Sequence, residues 1–326
     1  MGGLRFVSLA LALVLAGCVE RLHPQGPDVT AAALTDGRLQ ASDGVTLPLR
    51  SWLPIGSPKA VVVALHGMND YSNAFDAPGK ALAAKGIATY AYDQRGFGVG
   101  PHPGYWSSTK AMADDLNACA TLLHQRHPGI PLYVLGESMG GAVVIIAAQA
   151  PSAAISGLIL AAPAVWGRST MGWLQQGALW LTNAIAPGWT LTGRGLGIQA
   201  SDNIEMLRAL SRDPLVIKET RVDAIHGLVD LMDAAQMGMA AVQLPVLVLY
   251  GEKDEVIPPK PTWAAIRRLP RLGEARRVAL YENGWHMLLR DLQAQVVVDD
   301  IVAWMADASA PLPSRADMKA QGKLEQ

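Results

Sequence analysis

The chain has 326 residues, of which 50% are apolar and 17% charged, with 27 Lys and Arg against 28 Asp and Glu for a net charge of −1. That apolar fraction suffices for a full core and excludes disorder throughout, while the even charge balance argues against a nucleic-acid binder, which carries a basic excess. Two cysteines exclude a disulfide scaffold and a Cys-rich metal site, and at roughly 150 residues per domain the length corresponds to two domains or to one large α/β domain with an insertion.

The N-terminus reads MGGLRFVSLALALVLAGC. Arg5 supplies a positive flank, and the apolar run Phe6–Ala16 is too short for a membrane-spanning helix, which needs about 20 residues. It fits the apolar region of a signal peptide. Leu15-Ala16-Gly17-Cys18 resembles the lipobox of bacterial lipoproteins. The resemblance implies removal of residues 1–17 and lipidation of Cys18, which would attach the protein to a membrane. Several acyl chains on one cysteine anchor stably, whereas a single chain is marginal. By the same resemblance Val19, in place of an Asp, favours the periplasmic side of the outer membrane in a Gram-negative cell. The alternative is an ordinary secretory signal that contains a cysteine. Residues 18–36 are polar and Pro-rich and are expected to form a tether.

Gly37–Leu53 is expected to be a hairpin turning at Asp43-Gly44. Six apolar runs then read as strands: Ala60–Leu65, Gly86–Tyr92, Leu132–Gly136, Gly157–Ala162, Val246–Gly251 and Arg277–Tyr281. They lack alternation, which marks strands buried on both faces of a parallel sheet. Helical patterns lie between and after them, at Ala74–Lys85, Lys110–His127, Gly141–Ala150, Pro261–Leu269 and Leu288–Ala306. Alternating β and α elements imply an α/β fold with a mostly parallel sheet. The core is expected over 37–164 and 244–308. Between them, residues 165–243 break the rhythm and hold Trp166, Trp173, Trp180 and Trp189. This segment reads as a helical cap with a partly exposed apolar surface over the C-terminal edge of the sheet. The polar tail 309–326 is expected to fray.

Gly136-Glu137-Ser138-Met139-Gly140 sits between a strand and an apolar helix. This is G-x-S-x-G in the context of a nucleophile elbow, where a tight turn presents the serine above the sheet. A serine hydroxyl needs a base, and only His226 and His286 follow it in the chain. His286 lies directly after a strand, whereas His226 lies inside the insertion. The orienting acid should follow the preceding strand; Asp254 is best placed, with Glu252 and Glu255 as rivals. The oxyanion hole should combine the backbone N–H of Met139 with one from the loop His66-Gly67-Met68-Asn69-Asp70, where Met68 is the candidate. His66 is expected to brace that loop. Asp93-Gln94-Arg95-Gly96 reads as a glycine-rich turn with an internal Asp–Arg pair.

The segments HGMNDYS (66–72), YDQRGFGVG (92–100), GESMGG (136–141), SRDPLVIKETR (211–221), GEKDEVIP (251–258) and NGWHMLL (283–289) resemble the α/β-hydrolase superfamily. More narrowly they are similar to its monoacylglycerol lipase and lysophospholipase branch, which is grouped with serine aminopeptidases. The resemblance spans about residues 38–306. It implies an eight-stranded sheet with a helical cap inserted after the sixth strand, an acyl-ester substrate and no cofactor. Glu137 is a departure, because that branch often has His before the nucleophile. Amide, peptide or thioester hydrolysis on the same triad is the alternative reaction, and a non-catalytic binding lipoprotein the alternative class. No HExxH or clustered ligand set suggests metal catalysis.

Overall fold

The computed structural model describes residues 22–270 and 275–324; the signal segment and Cys18 lie outside them. In chain order the first part comprises β1 (Ala33–Thr35), β2 (Arg38–Gln40), β3 (Thr46–Trp52), β4 (Ala60–Leu65), α1 (Asp76–Ala84), β5 (Ile87–Tyr92), α2 (Thr109–Arg126), β6 (Leu132–Glu137), α3 (Met139–Ala147) and β7 (Ile155–Ala161). The intervening segment contains α4 (Trp173–Ile185), β8 (Thr190–Leu191), α5 (Ile204–Arg212), β9 (Thr220–Arg221) and α6 (Val222–Gly238). The chain then continues through β10 (Val246–Gly251), α7 (Pro259–Ile266), β11 (Arg276–Tyr281), α8 (Ala294–Ala306) and α9 (Ala316–Leu324).

The main sheet has nine strands in the order β1-β2-β3-β5-β4-β6-β7-β10-β11. The pairs among β1, β2, β3 and β5 are antiparallel, and all pairs from β5 to β11 are parallel. The crossover after β4 runs to β5 on one side, whereas that after β6 runs to β7 on the other, so the direction reverses between the adjacent β4 and β6. Such a switch point opens a crevice at the carboxyl ends of the strands, where α/β sheets bind ligands. The six-residue runs of β4, β5 and β10 are buried throughout. Their side chains divide between two layers. Val61, Val63 and Leu65 pack with α2, α3 and α6 on one face; Ala60, Val62 and Ala64 pack with α1 and α8 on the other. Lack of alternation in the sequence therefore reports helices on both faces.

Several expected boundaries change. The segment expected as a tether is held to the core from residue 23: His23 N–H donates to Trp106 O (2.9 Å), Ser107 Oγ donates to His23 O (2.8 Å), and the His23 ring stacks on His102. Ala33–Thr35 adds the ninth strand by pairing with β2. Short range and polar flanks conceal it, because the pairing partner, not a hydrophobic pattern, makes it a strand. The break in the βα rhythm expected over 165–243 is shorter in the structure. Val222, Ala224, Val229, Leu231 and Ala235 of α6 are buried in the core layer beside α3, so α6 is a sheet-flanking helix. The expected helix Leu288–Ala306 begins only at Ala294. Residues before it are held in turns, with Asp291 accepting the N–H of Trp285 at 2.8 Å.

The tail is ordered rather than frayed. Leu312, Ala316 and Ala320 are buried. Arg277 donates to Asp317 Oδ2 (2.9 Å) and to Ser309 O (2.7 Å), while Asp300 accepts from Tyr281 Oη (2.8 Å) and Ser314 N (3.0 Å). Three small or apolar anchors in a polar stretch are too sparse to stand out in the sequence. Among the described residues, no helix is long and apolar enough to cross a membrane.

Candidate active site

Ser138 lies between β6 and α3 with φ 54° and ψ −115°. A positive φ at a residue with a side chain is strained and persists only where surrounding contacts hold it. Those contacts are visible. Ser138 N–H donates to Ala161 O at 2.9 Å, and Ser138 O accepts from Ala164 N at 2.9 Å. A Cβ on Gly136 would lie 2.4 Å from Gly140 O, and one on Gly140 would lie 2.2 Å from Leu65 O. The two glycines therefore let the strand, the helix and β4 approach closely. Met139 starts α3, and the first turn of a helix leaves its N–H groups without intrahelical partners.

The loop after β4 abuts this turn: a Cβ on Gly67 would meet Ser138 Cβ at 3.3 Å. Its far end closes through Asp70 N–H on Gly67 O at 3.3 Å. His66 is fully buried. Its Nε2 accepts from Gln94 N (3.0 Å), its Nδ1 lies 2.9 Å from Gly67 O, and its carbonyl accepts from Gln94 Nε2 (2.8 Å). Burial pushes its pKa down, so the ring stays neutral and can make these bonds. His66 thus braces the loop. Met139 follows Ser138 in the chain, and Met68 follows Gly67, the residue of the β4 loop that abuts Ser138.

His286 follows β11, and its Nδ1 lies 2.9 Å from Asp254 Oδ2 in the loop after β10. Both side chains are buried. Asp254 Oδ1 accepts from Val256 N (2.8 Å) and Ile257 N (2.9 Å). Of the rival acids, Glu252 is exposed and Glu255 turns away to accept Gln199 N–H at 2.7 Å. Burial opposes the protonated ring, but the Asp254 charge and hydrogen bond outweigh it, and His286 is held above its ordinary value. Such a pair can fix the imidazole tautomer and stabilise an imidazolium. His226 lies elsewhere, beside Asp230 and Arg168 in and near α6.

The segment between β7 and α6 is latched to these loops. Ile217 N–H donates to Asn69 O (2.9 Å), Asn69 Nδ2 to Thr220 Oγ1 (2.7 Å) and Tyr71 Oη to Asp213 Oδ2 (2.7 Å). On the opposite side Met287 N–H donates to Ala200 O (2.9 Å), and Ser201 Oγ to Asp291 Oδ1 (2.6 Å). Burial raises the pKa of Asp291 to about 6. A cavity of about 300 Å³ opens beside the site, lined in part by Asp70, Tyr71, Met206, Leu210 and Arg290. By contrast Trp173 and Trp180 of α4 are 79% and 67% exposed.

Two charged arrangements differ from the sequence reading or escape it. Asp93 and Arg95 do not pair. Asp93 accepts Ser72 N–H (3.0 Å) and Val99 N–H (2.9 Å), while Arg95 is buried between Asp43 (2.7 Å) and Asp115 (2.6 Å). Neighbours on one tight turn point apart, and the guanidinium reaches across to the hairpin and to α2. Glu137, Asp70 and Arg290 form a second buried group, with Arg290 2.8 Å from each carboxylate. No spacing rule connects these three positions.

The family model described as Serine aminopeptidase, S33 matches residues 56–293. A monoacylglycerol lipase of Mycolicibacterium smegmatis is 25% identical over 274 residues, covering 80% of this chain and 93% of that protein. A monoglyceride lipase of Rattus norvegicus is 26% identical over 280 residues, covering 84% and 91%. The structure of a soluble variant of the Saccharomyces cerevisiae monoglyceride lipase superposes with a TM-score of 0.69 at 20% identity, covering 88% of this chain and 99% of that one. With a strained Ser138 elbow on a mostly parallel sheet and a family match over most of its length, the chain belongs to the serine aminopeptidase S33 family of α/β-hydrolases.

Proposed function

We propose that the protein is a carboxylic ester hydrolase of the monoacylglycerol lipase or lysophospholipase type, working through Ser138, His286 and Asp254. The observation that carries this is the buried His286–Asp254 pair at 2.9 Å, brought to the same sheet edge as the strained Ser138 turn. Ser138 Oγ attacks the ester carbonyl while His286 Nε2 takes its proton. The N–H groups of Met68 and Met139 stabilise the oxyanion. Collapse expels the alcohol, which receives that proton, and leaves an acyl-enzyme. His286 then deprotonates a water that attacks the acyl carbon, and the fatty acid leaves as Ser138 regains its proton. The relatives named as monoacylglycerol and monoglyceride lipases support the substrate class.

The reading extends to a membrane surface. A lipidated Cys18 would tether the mature chain, on the periplasmic face of the outer membrane in a Gram-negative cell. The exposed Trp173, Leu174, Trp180, Leu181 and Trp189 suit contact with lipid. No carboxylate occurs between Val165 and Asp202, whereas the exposed Arg194 does, which suits an anionic surface.

The test is hydrolysis of p-nitrophenyl esters from acetate to palmitate, and of a monoacylglycerol, by residues 19–326 with Ser138→Ala alongside. Long-chain ester turnover that disappears in the variant is the expected result. Turnover of amides or thioesters alone would overturn the ester reading.

A further inference from the structure

Arg290 places a charge in the interior between two carboxylates. Its Nη1 lies 2.8 Å from Asp70 Oδ2 and its Nη2 lies 2.8 Å from Glu137 Oε2, with all three side chains at least nine-tenths buried. The three residues come from three separate segments at one edge of the sheet, two of them loops and one the last position of β6. Asp70 ends the loop that carries Met68, Glu137 immediately precedes Ser138, and Arg290 lies four residues after His286. We propose that Arg290 is a positioning residue that clamps the oxyanion loop, the nucleophile turn and the histidine loop in one register. The proposal rests on the Ser138–His286–Asp254 reading above.

The geometry supports a clamp rather than a generic ion pair. A guanidinium is a planar fork that can satisfy two acceptors in fixed directions, which an ammonium cannot. Asp70 uses its remaining groups locally. Asp70 Oδ1 accepts Tyr71 N–H at 2.9 Å, and the Asp70 N–H closes the turn onto Gly67 O across Met68 and Asn69. Glu137 Oε1 has no hydrogen-bond partner, so among its side-chain contacts the carboxylate depends on Arg290. Arg290 O in turn accepts Asn203 Nδ2 at 2.9 Å, which ties the clamp to the segment above the site. Stability alone is a poor reason for such an arrangement, since a buried ion group is seldom better than well-packed apolar residues.

The cluster also acts on His286 through charge. Glu137 favours its protonated ring and Arg290 disfavours it, both secondary to burial and to Asp254. His66, buried beside the same loop, feels Asp70, Asp93 and Arg290.

The experiment compares wild type with Arg290→Met, Arg290→Lys, Glu137→Gln and Glu137→Gln/Arg290→Met. It measures kcat and KM on an acyl ester against pH, the rate of Ser138 labelling by a fluorophosphonate, and thermal midpoints. Arg290→Met is expected to lower kcat by about 10²-fold, the scale of a misplacement near 1 Å, with KM little changed. Arg290→Lys keeps the charge and recovers part of that loss. The double variant, which leaves no unpaired glutamate, is less impaired than the two single losses multiplied. The acid limb of kcat/KM shifts to lower pH in Glu137→Gln and to higher pH in Arg290→Met, opposite signs that a purely structural role would not produce.

Folded Arg290 variants with wild-type kcat and an unmoved acid limb would overturn the clamp. Should Arg290→Met not fold, Arg290→Lys and Glu137→Gln carry the same test, and wild-type values in both would overturn it. Failure of the ester reading is distinguishable: a wild type that labels with fluorophosphonate yet hydrolyses no ester refutes the substrate, while labelling rates still decide the clamp.

Discussion

Asp254 divides its two oxygens between His286 and its own loop. Oδ2 meets the imidazole Nδ1 at 2.9 Å, and Oδ1 holds the N–H groups of Val256 and Ile257 at 2.8 and 2.9 Å. The carboxylate is therefore immobilised by the backbone before it orients the ring, which lets a buried side chain keep one rotamer.

Replacing Asp254 by Asn preserves the shape and removes the charge. Loss of activity by about 10⁴-fold is expected if this pair works as a catalytic histidine and its orienting acid. The pH dependence carries its own sign. His286 is active as a base only when neutral, and Asp254 holds its pKa above the ordinary value. Wild-type kcat/KM should thus fall as pH drops through a limb above about 6.5. In Asp254→Asn, burial is left to act and the limb should move to lower pH. A limb that stays in place would contradict the assignment.

The glycine at position 140 tolerates no side chain. Its Cβ would lie 2.2 Å from Leu65 O, a backbone atom of a central strand that cannot yield as a side chain end can. Gly140→Ala is expected to cost about 3 kcal/mol, the upper range for forced overpacking, and to abolish hydrolysis by displacing Ser138. Denaturant melts and ester turnover of the soluble fraction read both effects.

Truncation after residue 308 should destabilise the core. It removes Leu312, Ala316 and Ala320 from burial and leaves Arg277 and Asp300 without Asp317 and Ser314. Losing Leu312 alone forfeits about 2 kcal/mol of burial, which corresponds to a fall in Tm of about 3 °C for a chain of this size. A melt indistinguishable from the full mature chain would show that the tail contributes nothing.

Trp173→Ser/Trp180→Ser tests the exposed surface of α4. Both rings are mostly exposed, so neither is needed for the core and the Tm should hold. Removing two aromatic contacts with lipid should weaken co-sedimentation of residues 19–326 with phosphatidylglycerol vesicles by about tenfold or more. Turnover of a soluble short-chain ester should be retained. Equal vesicle binding by both proteins would exclude this surface as a lipid contact.

Much of the scaffold was legible because its causes are local. AVVVAL and VLVLYG are runs that only a strand buried on both faces requires, and G-x-S-x-G marks a turn whose first glycine answers a steric need inside the motif, against Gly140, while Gly140 makes room for Leu65 of β4. Charged partners were less legible: motif order favoured Asp254 as the partner of His286 but left Glu252 and Glu255 open. Asp254, Glu252 and Glu255 lie within one short loop, and the fold alone turns Asp254 onto His286 while Glu255 takes Gln199. Asp93 and Arg95 are near neighbours, yet each finds its partner elsewhere. Arg290 lies 220 residues from Asp70 and 153 from Glu137 in sequence. Hydrophobic burial leaves a periodic signature along the chain, since each residue reports its own face. A buried ion pair leaves none, because its two halves need only meet in space, and that meeting is decided by how the loops at one sheet edge converge.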